Sequence, residues 1–107
     1  MIETIKGTTP TFIFETTADI DLTQATEVWV TFSTTNEEEI LTKKDTDLEL
    51  TAQSVSVFLT QKETLEFPKG RIKAQINWTF VEDGIEKRAA SEKMLIATES
   101  NLVDEEI

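Results

Sequence analysis

Arg71-Ile72-Lys73-Ala74-Gln75-Ile76-Asn77-Trp78-Thr79-Phe80 alternates polar and apolar side chains without a break. A period of two puts Ile72, Ala74, Ile76, Trp78 and Phe80 on one face of an extended chain, and their neighbours on the other. The stretch therefore reads as a strand with one side in a core and one in water. Shorter pieces of the same alternation recur along most of the chain, so the domain is expected to be all-β.

Working outward, Asp83-Gly84 closes the long strand into a hairpin. A two-residue turn is the default for that pair. Parity argues for a three-residue loop, Glu82-Asp83-Gly84, which sets Ala90 opposite Ile76 and Met94 opposite Ile72; the alternative is a bulge near Ala89-Ala90. Upstream, Val28, Val30 and Phe32 share one face of a strand over 27–33, while Trp29 and Thr31 point the other way. Trp29 is either covered by a loop or part of an exposed patch. Thr34-Thr35-Asn36-Glu37 turns the chain into a returning strand over 39–43. Further strands are expected over 2–6, over 11–16 after Pro10, around Leu48 and Leu50, and around Val55, Val57 and Leu59. Residues 18–25, with a lone Leu22, read as a connection holding one helical turn. Thr60 and Glu63 fit a capping box, so a short helix is predicted over 61–66, stopped by Pro68 and Gly70. The expected core is Phe12, Phe14, Val28, Val30, Phe32, Leu48, Leu50, Val55, Val57, Leu59, Ile72, Ile76, Trp78, Phe80, Met94 and Ile96.

The 107 residues suit one domain, 1–107, with 101–107 as a mobile or docking tail. A formal net charge of −11 lacks the basic footprint that nucleic acid requires and disfavours anionic membranes. The plain reading of that acidity is a solvated, self-repelling surface. No apolar run approaches the ~18 residues of a membrane span. Met1-Ile2-Glu3-Thr4-Ile5-Lys6 has neither a basic lead-in nor an apolar core, so it is not a signal peptide, and folding in the cytoplasm is expected.

Chemistry is sparse. The chain has no histidine, cysteine or tyrosine, which removes the commonest general base, the thiolate nucleophile and the phenolic acid. Three scattered glycines cannot form a phosphate-cradling loop. The recurring polar pattern is Asp-x-Asp, at Asp19-Ile20-Asp21 and Asp45-Thr46-Asp47. Paired carboxylates can hold Ca²⁺ or flank a glycosidic bond. Asp is equally a turn former, and turn use is the preferred reading here. No catalytic residue, cofactor or metal is therefore expected. Glu37-Glu38-Glu39 and Asp104-Glu105-Glu106 read as solvated runs.

Three blocks carry a resemblance: Met1-Ile2-Glu3-Thr4-Ile5-Lys6-Gly7-Thr8-Thr9-Pro10-Thr11-Phe12, Leu59-Thr60-Gln61-Lys62-Glu63-Thr64-Leu65-Glu66-Phe67, and Asn101-Leu102-Val103-Asp104-Glu105-Glu106-Ile107. They resemble small prophage proteins of Gram-positive bacteria that are similar to the N-terminal immunoglobulin-like module of phage baseplate upper proteins. The resemblance implies an immunoglobulin-like antiparallel β-sandwich with one short helix; here the module is expected to stand alone, without a downstream receptor-binding region, which departs from that family. The resemblance also implies a virion structural part that works by contact with other tail or baseplate proteins or with further copies of itself. The apolar residues without an obvious place in the core, Ile2, Ile5, Leu102, Val103 and Ile107, are the expected partner-binding positions. Trp29, with Thr31 and Ser33, supports an alternative in which the domain binds carbohydrate or a cell surface.

Overall fold

The computed structural model describes residues 2–16 and 21–107. Among them run nine strands, one α-helix and two short 3-10 turns (Leu22–Gln24 and Asp45–Asp47): β1 (Ile2–Ile5), β2 (Thr11–Glu15), β3 (Glu27–Thr34), β4 (Glu39–Lys44), β5 (Leu48–Leu50), β6 (Ser54–Phe58), α1 (Gln61–Leu65), β7 (Gly70–Glu82), β8 (Ile85–Ala90) and β9 (Met94–Glu99). Two sheets form. The larger has the order β1-β9-β7-β3-β4, with β8 also on β7; the smaller is β2-β6-β5. Their inner faces pack as an immunoglobulin-like sandwich. Every pairing is antiparallel except β1 on β9, which is parallel.

The alternation of β7 does what its pattern demands. Ile72, Ala74, Ile76 and Trp78 are buried, and the polar residues between them lie half-buried on the outer face. Phe12 and Phe14 from the smaller sheet meet Phe32 of β3, and Phe32 meets Phe67, with ring centroids 5.6–6.3 Å apart. Such offset aromatic contacts add to the stabilisation from burial alone. Thirteen of the expected core residues are buried; Leu50, Phe80 and Met94 only pack against the rim. Leu22, Phe67 and Ala74 join the core as well. Leu22 gets there because its turn is tied to the smaller sheet, where its N–H donates to the carbonyl of Ala52.

The helix carries the full capping box. Thr60 Oγ1 accepts from the Glu63 amide at 3.3 Å, and Glu63 Oε1 accepts from the Thr60 amide at 2.9 Å. Thr64, the buried residue of the helix, donates to the carbonyl of Thr8 at 2.7 Å and accepts from the Gly7 amide at 3.0 Å. Gly7 has φ +80°, and a Cβ there would sit 3.2 Å from Leu65. The helix is thus fastened to the chain leaving β1.

The β7–β8 hairpin corrects the expected three-residue loop. Glu82 pairs with Ile85, so the turn is Asp83-Gly84 alone, with φ of +53° and +75°. Two positive φ values make the turn whose twist matches a hairpin. Ala90 consequently faces Asn77, and Ile96, not Met94, faces Ile72. The parity problem is solved further on. The register against β7 changes by one residue between β8 and β9, where the hydroxyl of Ser91 accepts from the Ile76 amide at 3.0 Å.

Candidate functional site

The expected contact residues separate into three groups. Ile2 lies opposite Ile96 in the parallel pairing with β9 and is partly buried against the core. Ile5, three pairs further along and so on the opposite face, stays 44% exposed.

Residues 101–107 run back to the helix. Asn101 Nδ2 donates to the carbonyl of Lys6 at 3.0 Å, and its Oδ1 accepts from the Val103 amide. The Gln61 side chain then holds Ile107 as another backbone would. Its Nε2 donates to the Ile107 carbonyl and its Oε1 accepts from the Ile107 amide, both at 2.9 Å. Leu102 and Ile107 nevertheless leave their side chains in water, and Val103 is half exposed. Ile5, the tail and α1 therefore share one end of the sandwich.

Trp29 stands elsewhere, on the outer face of the larger sheet. Its cover is a side chain and not a loop. The Arg88 guanidinium lies 5.9 Å from the ring centroid, anchored by Nε and Nη2 donating to Asn77 Oδ1 at 3.3 and 3.1 Å. A cation over an indole face is attracted by the ring quadrupole. The indole N–H beneath is buried without a hydrogen-bond partner. Thr31 bonds across to Thr42 and Ser33 to the carbonyl of Thr34, so neither hydroxyl points freely into a sugar subsite.

Asp21 serves a turn, and Asp45 ties its own turn to β3. Asp21 Oδ1 caps a short helical turn by accepting from the amide of Thr23 at 2.9 Å and from its hydroxyl. Asp45, at φ +48°, accepts from the Val28 amide at 3.3 Å. Asp47 is exposed, and Asp19 lies outside the described residues. Among the described residues, no three Asp or Glu side chains come together as a metal site. Among the described residues, the surroundings of two acids shift their pKa downward. Burial pushes Glu63 upward, but its bonds to Lys43 and Thr60 outweigh that and hold it below 4.5. Exposed Glu37 is lowered by its hydrogen bond to Lys93.

Two exposed apolar positions stand on the smaller sheet, outside the expected contact set. Ile13 is 63% and Phe58 52% exposed on its outer face. The signal was present, since Ile13 interrupts the polar side of β2. Val81 and Ile85 are likewise exposed at the hairpin tip, beyond the reach of the smaller sheet. No helix among the described residues is long and apolar enough to cross a membrane. No family model, curated protein or solved structure matches the chain.

Proposed function

We propose that this chain is a non-catalytic structural component of a phage or prophage tail or baseplate, acting through protein–protein contacts. The observation that carries the reading is the manner in which residues 102–107 are presented. Their backbone is fastened by Gln61, while Leu102 and Ile107 turn apolar side chains to water. A segment already held in place loses less conformational freedom when a partner covers it. Removing those side chains from water then contributes about 25 cal/mol per Å² of apolar surface. Exposed Ile5 at the same end extends the surface. The assignment to a virion rests on the resemblance of the three sequence blocks to the baseplate upper protein module. The carbohydrate-binding alternative needs the plane of Trp29, which Arg88 already covers.

The test uses phage particles from an induced lysogen carrying this gene. Purified particles contain the protein in fixed stoichiometry, and a version lacking residues 102–107 incorporates poorly while keeping its circular dichroism spectrum. Particles devoid of the intact protein overturn the proposal.

A further inference from the structure

The open sheet edges of the sandwich are not alike. β4 carries Lys43, tucked inward and paired with Glu63 at 2.7 Å. β8 presents Glu86, Lys87 and Arg88 in succession, β5 is three residues long with Glu49 at its centre, and β1 is four residues long with Glu3 within it. Inward charges, charge runs and shortness are the devices that keep foreign strands off an edge. β2, Thr11-Phe12-Ile13-Phe14-Glu15, has none of them except a terminal carboxylate.

The backbone of β2 also has its free groups in a definite register. Leu59 N–H donates to the carbonyl of Pro10, and Thr16 N–H to that of Gln53, so the even-numbered residues bond to β6. The N–H and C=O groups of Thr11, Ile13 and Glu15 therefore point away from β6, along the unpaired side of the smaller sheet. That sheet is three strands wide, against five abreast in the larger one.

We infer that the β2 edge is a strand-addition site, and that its occupant is an extended basic–apolar segment of another protein. This goes beyond the contact reading above by adding a second surface, the β2 edge, and naming its partner's chemistry. An antiparallel strand centred on Ile13 satisfies the outward groups of Thr11, Ile13 and Glu15 together. Its residues beside Phe12 and Phe14 face the core and must be apolar. The residue beside Ile13 continues the outer apolar patch of Ile13 and Phe58. The residue beside Glu15 is best a lysine or arginine. A second copy of the chain is the poorer occupant, because two bodies of net charge −11 repel each other.

The experiment adds the capped peptide acetyl-Lys-Val-Ile-Val-Lys-amide to the isotopically labelled full chain and follows amide shifts by NMR. Saturable shifts centred on Thr11, Ile13 and Glu15, with about millimolar affinity, are expected from so short a strand. The counterpart with both lysines replaced by glutamate binds at least ~10-fold more weakly, and added salt narrows the gap. Ile13→Pro removes the central donor without touching the ladder to β6, so it abolishes binding in a folded protein. Should that variant not fold, Ile13→Lys, at an exposed position, serves in its place and weakens binding of the basic peptide. Equal binding of both peptides, shifts centred on β4 or β8, no shifts at all, binding unaffected by either variant, or self-association without peptide would each overturn the inference. Failure here leaves particle incorporation through residues 102–107 untouched, so the two readings fail separately.

Discussion

β2 and β4 are both edge strands of the same sandwich, yet they meet water differently. β4 turns a lysine inward, where Glu63 of α1 waits for it, so a strand approaching that edge meets a half-buried ion pair. β2 turns two phenylalanines inward, stacked at 5.9 Å, and offers outward amides with an isoleucine between them. One edge is closed by charge and the other is left fit for pairing. Where a protein places charge on its edges is thus a guide to where it makes contact, even when its surface holds no chemistry.

The difference can be broken from several directions. The largest effect should come from the inward face of β2. Phe14→Ala empties a buried site between the sheets and is expected to cost about 3–5 kcal/mol in a urea titration. Next is the joint that carries the chain from β1 to β2. Thr64→Val leaves the Gly7 amide and the Thr8 carbonyl without their buried partner, at about 1–3 kcal/mol.

At β4 the effect is smaller and depends on pH. The folded pKa of Glu63 lies below 4.5, its unfolded value, so the ionised form is favoured by folding. Its contribution is therefore full above that value and is lost as pH falls through the lower, folded one. Glu63→Gln should lower Tm near pH 7, by about 1 kcal/mol in stability, and flatten the acid limb of a Tm–pH curve. Unchanged acid sensitivity would place the linkage elsewhere. The smallest change is expected at Ile13→Lys, within about 0.5 kcal/mol, because the side chain is already in water. A large loss there would mean that the outer face of β2 is covered.

Much of this architecture was legible because alternation reports burial directly. The β7 strand, the β3–β4 hairpin and the helix with its Thr60–Glu63 cap follow from local pattern. The hairpin turn did not, for a definite reason. β8 and β9 lie on the same side of β7 in registers one residue apart, and the extra residue sits near Ser91. Parity alone leaves two solutions, a three-residue loop or a bulge near Ala89-Ala90, and the register change beside Ser91 favours the second. Trp29 was undecidable because its cover, Arg88, arrives from a strand distant in sequence. The place of Ile2 beside the core was not legible, because parallel pairing of the first strand with the last has no local signature. At the tail, the apolar side chains were visible in the sequence, but the grip of Gln61 on Ile107 depends on the fold.

Amide hydrogen exchange along β2 tests the central claim, that this edge stands open. In the free protein Phe12 and Phe14, bonded to β6, should exchange slowly, while the intervening Thr11, Ile13 and Glu15 amides exchange at least ~100-fold faster. Equal protection of odd and even residues in the free protein would show the edge already covered and would contradict the account.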